Sequence, residues 1–207
     1  MRYGETDPIP YALFYMVNCA KICLVIAVAI GISPLFAGDL CELDRSVYDA
    51  VHDGWKCGFS DGYFPNVTHL GDAEFYLTLN LGMVCFGDEK MRDTGKLAVV
   101  GLATTMLTTE LIKLAIGRAR PENQDSPRWD SSLPSGHATA AFAMAYIYGE
   151  QYHHLRIPLY LLAASVGISR IYTGMHYPSD VIAGAAVGTL GGIVVMKNKQ
   201  FVLKIGF

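Results

Sequence analysis

Long apolar stretches alternate along this chain with short segments that hold most of its charged residues. The third and sixth stretches are apolar on every side, whereas helices of a soluble core usually alternate apolar and polar faces. Several stretches are shorter than the about 20 residues that span a bilayer unaided, so the prediction rests on the set as a whole. The pattern predicts an all-α, polytopic membrane bundle of six transmembrane helices, at residues 11–36, 73–86, 97–116, 136–148, 157–168 and 181–196.

The distribution of Lys and Arg between the connecting segments predicts an orientation. With the N-terminus inside, the inner segments are the more basic once Lys113, Arg120 and Arg170, discussed below, are set aside, and cytoplasmic loops are typically the more basic ones. We therefore expect an integral plasma (inner) membrane protein with residues 37–72 as an extracytoplasmic (periplasmic) loop. Cys41 and Cys57 in this loop could pair in an oxidising compartment, although two free cysteines are the favoured interpretation.

Composition narrows the functional classes. Hydrophobic residues make up 52% of the 207 residues and charged residues 17%, below the roughly 25% of a typical soluble domain. Sixteen Lys and Arg against 19 Asp and Glu give a net charge of −3, so no basic excess indicates a nucleic-acid partner. No internal repeat is present, and residues 1–207 are predicted to form a single domain whose oligomeric state is left open.

The first of three polar clusters lies at the predicted outer end of the third helix. Pro121 cannot continue a helix, so Arg120 is expected at the helix exit, where a cation suits the C-terminal end of the dipole. Lys113 precedes Arg120 by seven residues and shares its face if the helix persists. Glu110, three residues before Lys113, is an alternative partner for that lysine.

The other two clusters lie at helix ends on the same predicted side of the membrane. In Pro134-Ser135-Gly136-His137, Ser135 is a good N-cap and Gly136 permits close approach to free backbone amides, which form a natural anion site. The third cluster has Ser169 and Arg170, then His176, then Asp180. Because Pro178 disfavours helix at the residue before it, we expect the sixth helix to begin after His176.

Together the clusters predict a site for a multiply charged oxyanion, most plausibly phosphate. Lys113, Arg120 and Arg170 would repel a metal ion, and no closed set of metal ligands is present. His176, oriented by Asp180, could act as nucleophile or base, and His137 as general acid. Taken alone, each basic residue is more simply a membrane-interface anchor and each histidine a cap or core residue, so the prediction depends on their convergence.

The three motifs resemble the signature of the type 2 phosphatidic acid phosphatase (PAP2) superfamily: KxxxxxxRP at 113–121, PSGH at 134–137 and SRxxxxxHxxxD at 169–180. The resemblance implies a PAP2/haloperoxidase-like helical core. It implies that His176 attacks phosphorus and forms a phosphohistidine, that Asp180 holds its imidazole, and that His137 protonates the leaving group. Lys113, Arg120, Ser135, Gly136 and Arg170 would bind the phosphoryl oxygens, with no metal and no cofactor.

The resemblance implies a metal-independent membrane phosphatase acting on a phospholipid or prenyl phosphate, such as phosphatidate, phosphatidylglycerophosphate, undecaprenyl diphosphate or a lipid A phosphate. The family also has soluble members, and the all-round apolar stretches favour the membrane branch. The alternatives are a lipid phosphotransferase with the same nucleophile, a secreted-type non-specific acid phosphatase, a lipid-phosphate transporter and a metallohydrolase. Asp72 and Glu74, near the second stretch, are interpreted as solvated interfacial residues, with a part in acceptor or headgroup choice as the alternative.

Overall fold

Every regular element in the described part of the chain is helical. The computed structural model describes residues 37–204, and no strand occurs among them. The α-helices are α1 Ala37–His52, α2 Gly58–Val67, α3 Ala73–Phe86, α4 Glu89–Ile116, α5 Gly136–Gln151, α6 Arg156–Tyr172, α7 Pro178–Lys197 and α8 Lys199–Lys204, with 3-10 turns at Thr68–Gly71, Arg128–Asp130 and His153–Leu155. Five of the six predicted apolar stretches are thus found as helices, and the first, 11–36, lies outside the described residues.

The segment 37–72, predicted as a loop, is largely helical. It contains α1, α2 and the turn Thr68–Gly71. Tyr48 and Val51 of α1 form an apolar cluster with Ile171 and Tyr172 at the end of α6. This packing brings the polar side chains of α1 to the connection between α6 and α7.

Helix α4 has clear signals at both ends. The Asp88 carboxylate accepts a 2.8 Å hydrogen bond from the Met91 amide and so caps the first turn. At the other end, Gly117 adopts a left-handed conformation with φ 65°, and its N–H donates to the carbonyl of Lys113. The helix therefore does not persist to Arg120, and that arginine lies in the following loop instead of on the same helix face as Lys113.

Glycines let α7 pack closely against α5. A Cβ at Gly184 would lie 2.5 Å from the carbonyl oxygen of Ser135, and one at Gly188 would lie 2.2 Å from that of Thr139. Gly192, one turn further along, approaches the side chain of Tyr146. Successive turns of α7 meet successive turns of α5, so the two helices run parallel, with the small residues that close packing in lipid requires.

Among residues 37–204, two helices are long and apolar enough to cross a membrane by length and composition: α4 with 28 residues and α7 with 20, whereas α3 is apolar but shorter. Large apolar side chains point outward from α4, including Leu107 at 63% exposure, which differs from the buried core helix of a soluble protein. Asn80 in α3 faces inward and accepts a 2.6 Å hydrogen bond from the hydroxyl of Tyr148. The number six for the transmembrane helices stays a prediction.

The connections place the three sequence motifs at one end of the bundle. Helices α4 and α6 end there, and α5 and α7 begin there. We call this the motif end. At the opposite end Lys199 donates to the side chain of Gln151, and Lys90 lies 4.4 Å from the ring centre of Tyr152. Lys90 and Lys199 belong to segments that are predicted to lie on the inner side of the membrane. Both therefore lie at the end of the bundle away from the motifs.

Candidate active site

His176 lies in the short connection between α6 and α7 and is 3% exposed. Its Nδ1 is 2.7 Å from the backbone carbonyl oxygen of Ser132. Because a carbonyl only accepts hydrogen bonds, Nδ1 carries the proton, and Nε2 keeps its lone pair in the neutral ring. Nε2 lies 3.5 Å from Nη1 of Arg120, so the lone pair faces a cation. An imidazole held in this way has a free nitrogen for attack.

Asp180, in the first turn of α7, is fully buried beside this ring. Its Oδ2 lies 3.8 Å from Nδ1 of His176, which is longer than a hydrogen bond. The same oxygen accepts a 2.8 Å hydrogen bond from the amide of Tyr177. The expected pairing of His176 with Asp180 is thus present as proximity, while the carbonyl of Ser132 makes the hydrogen bond to the ring. Helix α7 begins at Pro178, after His176, as the sequence predicts.

The surroundings of His176 keep its ring neutral. Burial lowers the pKa of His176 below its ordinary value, and the positive charges of Arg170 and Arg120 act in the same direction. Asp180 opposes this lowering of the pKa through its negative charge. The neutral ring is the nucleophilic form, so the site favours the reactive state of the imidazole near neutral pH.

His137 is the second residue of α5 and is partly buried. Its Nε2 lies 2.8 Å from Oδ1 of Asp72, which directly precedes α3. The positive charge of Arg170 acts on this ring from α6, and the ring of His176 lies near it in the connection before α7. The structure therefore brings both predicted histidines to the motif end and gives His137 a carboxylate partner.

The N-terminus of α5 supplies backbone amides to the site. The hydroxyl of buried Ser135 accepts from the amide of Ala138, and the Ser135 amide donates a 3.0 Å hydrogen bond to the carbonyl of Asp180. This bond fixes the start of α5 against the start of α7. A Cβ at Gly136 would lie 4.0 Å from Nζ of Lys113, which shows that this lysine lies beside the helix N-terminus.

Two of the three predicted cations also have carboxylate partners. Lys113 donates a 2.9 Å hydrogen bond to Glu110, the alternative partner that the spacing indicated. Arg120 makes a two-point contact with Asp130 at 2.7 and 3.3 Å, and this hydrogen bonding keeps the pKa of Asp130 below its usual range. Both cations are therefore held in place by neighbouring acids.

Arg170 differs from the other two cations. Its Nη1 donates a 2.9 Å hydrogen bond to the neutral hydroxyl of Thr68. Its Nε is buried with no hydrogen-bond partner, and among residues 37–204 no carboxylate forms an ion pair with it. A buried guanidinium with unused donors is suited to a bound oxyanion.

Three groups that hold the site together were not predicted from the sequence. The first is the carbonyl of Ser132. The second is Arg118, which donates from Nη1 to Asp180 and from Nη2 to the third, Asp44 of α1. Asp44 also accepts hydrogen bonds from the amide and hydroxyl of Ser179. Arg118 lies two residues before Arg120 in the sequence, and this position could have marked it as a residue near the site. Nothing in the sequence around Asp44 marks that residue.

The assembled groups are suited to phosphoryl chemistry. Three cations and a helix N-terminus can neutralise phosphoryl oxygens, and two imidazoles can attack and transfer protons. Within the described part of the chain, no cluster of three His, Cys, Asp or Glu side chains is arranged to hold a metal ion. The side chain of Cys41 lies outside the described residues, so its pairing with Cys57 stays open.

Comparison with known proteins identifies the part of the chain that carries this site. Residues 95–203 match the family model described as the PAP2 superfamily. The match covers more than half of the chain and contains all eight predicted site residues. It leaves out Asp44 and Asp72, which contact the site from earlier elements.

Two curated relatives act on different lipid phosphates by name. The chain is 36% identical over 124 residues to a lipid A 1-phosphatase of Porphyromonas gingivalis, covering 56% of this chain and 27% of that protein. It is 40% identical over 91 residues to the decaprenylphosphoryl-5-phosphoribose phosphatase of Mycobacterium tuberculosis, covering 41% of this chain and 50% of that protein. The chain therefore spans between about a quarter and a half of the length of these relatives.

A solved structure extends the likeness to the fold. The crystal structure of a transmembrane PAP2-type phosphatidylglycerolphosphate phosphatase from Bacillus subtilis superposes with a TM-score of 0.69 at 25% identity. The superposition covers 90% of this chain and 96% of that one. The helical arrangement is thus shared with a membrane protein over nearly its full length.

Proposed function

The chain belongs to the PAP2 superfamily, and from this membership we propose that it is a metal-independent membrane phosphatase hydrolysing a lipid phosphate or prenyl diphosphate through a phosphohistidine intermediate. The observation that carries this proposal is the environment of His176. Nδ1 is engaged by the carbonyl of Ser132, and Nε2 faces Arg120. That arrangement suits an imidazole attacking a phosphoryl group held by cations.

The first chemical step transfers the phosphoryl group to His176. The lone pair of Nε2 forms the N–P bond while the bond from phosphorus to the leaving oxygen breaks. His137 gives a proton to the leaving alkoxide or phosphate as its negative charge develops. Arg170, with its unused donors, contacts the phosphoryl oxygens and stabilises the charge that they accumulate.

The second step releases phosphate and restores the enzyme. His137, now neutral, accepts a proton from water as the water oxygen attacks phosphorus. The N–P bond breaks, the electron pair returns to Nε2, and inorganic phosphate leaves. Ser132 keeps Nδ1 protonated through both steps, so the same nitrogen is nucleophile and leaving group.

A lipid substrate is supported by the position of the site. The motif end lies where α4 and α7, the two longest apolar helices, end and begin. A headgroup can reach the cations there while its acyl or prenyl tail stays against the outward-facing leucines of α4. The distribution of Lys and Arg supports an inner-membrane location with the motif end on the extracytoplasmic side.

The outward-facing apolar surface disfavours a secreted-type acid phosphatase, because a soluble protein rarely exposes so much of it. A lipid phosphotransferase would use the same nucleophile with a different acceptor. Free phosphate released in the absence of an added acceptor distinguishes hydrolysis from transfer.

The test is phosphate release by the purified, detergent-solubilised chain from a panel of phosphatidate, phosphatidylglycerophosphate, undecaprenyl diphosphate and lipid A phosphates. We expect turnover in the presence of a chelator, inhibition by vanadate, and no turnover by His176→Ala. Rapid acid-free quenching with a ³²P-labelled substrate should trap label on wild type and none on the variant. Turnover that survives His176→Ala would exclude the proposed mechanism.

A further inference from the structure

Asp72 links the two histidines nearest to it. Its Oδ1 lies 2.8 Å from Nε2 of His137, and its Oδ2 lies 3.1 Å from Nδ1 of His69. His69 belongs to the turn Thr68–Gly71 and is largely exposed to solvent. The three side chains form a continuous chain from solvent to the proposed acid–base residue.

The turn that carries this chain is fixed against the site on both sides. A Cβ at Gly71 would lie 3.0 Å from Cβ of His137 and 2.5 Å from Cγ1 of Val166, so the backbone contacts both α5 and α6. Thr68, three residues earlier, accepts the hydrogen bond from Arg170. The turn therefore contacts both the proposed general acid and the proposed phosphate-binding arginine.

A simpler role for Asp72 is helix capping, and the geometry speaks against it. Asp72 is the N-cap residue of α3, where an aspartate usually accepts a hydrogen bond from an amide of the first turn. Its side chain makes no such bond. Both carboxylate oxygens are directed instead at imidazole nitrogens, one of them in the site.

We propose that Asp72 is a positioning residue for His137 and that His69 supports it by holding the second carboxylate oxygen. This inference rests on the proposed acid–base role of His137. An ionised carboxylate accepts a hydrogen bond from Nε2–H, which fixes the tautomer and leaves Nδ1 as the nitrogen that exchanges protons with the leaving group and water. The negative charge of the carboxylate stabilises the imidazolium of His137 before it donates.

The residue lies outside the stretch 95–203 that matches the family model, so its role comes from the contacts of this chain. Three charged or titratable groups face His137: Asp72 from the turn, Arg170 from α6 and His176 from the connection before α7. Arg170 adds a positive charge to the surroundings of His137. Asp72 is the carboxylate among these groups that can offset the cost of a second positive charge on the imidazole.

The dependence on the leaving group separates an acid–base role from a structural one. A general acid raises the reaction rate about 10²- to 10⁴-fold when the leaving group is a poor one such as an alkoxide, and it raises the rate far less when the leaving group is a stable phenolate. We therefore compare kcat/KM for a short-chain phosphatidate and for 4-nitrophenyl phosphate, since kcat/KM reports the steps up to release of the leaving group.

For Asp72→Asn we expect a loss of about 10- to 100-fold in kcat/KM on the alkyl phosphate, as part of the contribution of the general acid, and a much smaller loss on the aryl phosphate. Asp72→Ala should lose more than Asp72→Asn, because the amide oxygen can still accept from Nε2–H. His69→Gln should show the same substrate dependence with a smaller loss. The matched control is Glu74→Gln, which removes an exposed carboxylate two residues away and should behave as wild type on both substrates.

Equal losses on the two substrates, or an Asp72→Asn variant that matches the control, would overturn this inference. Thermal unfolding in detergent establishes that each variant is folded, and His69→Gln tests the same chain of contacts without altering Asp72. His137→Ala is the reference. If it too leaves the alkyl-phosphate rate unchanged, the proposed function of His137 fails, whereas a crippled His137→Ala beside an unaffected Asp72→Asn rejects only the role of Asp72.

Discussion

Arg118 donates a 2.7 Å hydrogen bond from Nη1 to Oδ1 of Asp180, the carboxylate beside His176. The same guanidinium donates from Nη2 to Asp44 at 2.6 Å and lies over the ring of Tyr177. One cation therefore joins the loop after α4 to α1 and to the first turn of α7. It fixes the carboxylate that faces the proposed nucleophile.

Arg118→Gln should lower both the free energy of unfolding and kcat. The substitution leaves the buried carboxylates of Asp44 and Asp180 without their cation, and removing one partner of a buried ion pair costs about 3 to 5 kcal/mol. We expect kcat to fall because Asp180 is no longer fixed beside His176. The free energy of unfolding in detergent and kcat are measured on the same samples.

The matched experiment for this network is a double-mutant cycle. Asp44→Asn alone should cost less than Arg118→Gln, because Asp180 keeps its hydrogen bond to the arginine. The double variant should lose less free energy of unfolding than the two single variants lose together, because the second substitution removes a group that the first has already left without its partner. Strict additivity would show that Arg118 and Asp44 do not interact in the membrane protein.

The helices were predictable where one local signal decided their bounds. The second apolar stretch was predicted at 73–86, and α3 has those bounds, with extended backbone at Asp72 before it and at Gly87 after it. Asn80, a polar interruption in that stretch, faces the interior of the bundle, with Tyr148 as its partner. The end of α4 at Ile116 agrees with the predicted stretch 97–116, but the expectation that Arg120 lies at the helix exit was wrong, because Gly117 ends the helix before Pro121 does.

The eight proposed site residues were singled out from the sequence because each belongs to one of the three polar motifs. The supporting groups were not, for two physical reasons. Ser132 acts through its backbone carbonyl, which every residue has, so no side-chain pattern marks it. Asp44 meets Arg118 across 74 residues of chain, in a segment predicted as a loop, and only the tertiary packing of α1 brings them together.

The pKa of His176 can be measured directly. Burial lowers the pKa of His176 below about 6.5, the ordinary pKa of histidine. The ring should therefore stay neutral as the pH falls through that value. The unfolded chain then binds a proton that the folded chain does not, so the free energy of unfolding should fall as the pH drops below about 6.5. The measurement is ¹⁵N NMR of histidine-labelled protein, with the His176 signals assigned by their loss in His176→Gln. A titration midpoint above the ordinary value contradicts the neutral nucleophile.

Arg170 should be the cation whose loss most weakens anion binding. A hydrogen bond to a charged group contributes about 1.5 to 3 kcal/mol, so Arg170→Gln should raise the vanadate inhibition constant about 10- to 100-fold. Arg45→Gln serves as control, because Arg45 is an exposed arginine of α1. Equal inhibition constants for the two variants would show that the free donors of Arg170 do not face the anion.

Close packing of α7 on α5 predicts a strong effect of a single methyl group. Gly188→Ala places a Cβ 2.2 Å from the carbonyl of Thr139, so the helices must separate and the protein should lose several degrees in Tm. Gly82→Ala is the matched control, because a Cβ there meets no atom within 4 Å and alanine favours helix over glycine. If both variants melt together at the wild-type temperature, the two helices are further apart than the structure shows.

The orientation of the bundle can be tested from the two ends of α4. Asp125 is an exposed residue of the loop at the motif end, and Glu89 is an exposed residue at the start of α4. Helix α4 has 28 residues, so its start lies about 42 Å from its end. In a chain whose five native cysteines are replaced by alanine, we introduce Asp125→Cys or Glu89→Cys. A membrane-impermeant maleimide should label the first in intact cells and the second only after permeabilisation, because Lys and Arg that mark the inner side lie at the start of α4. Labelling of both cysteines in intact cells, or the reverse pattern, would mean that the motif end does not face the outside.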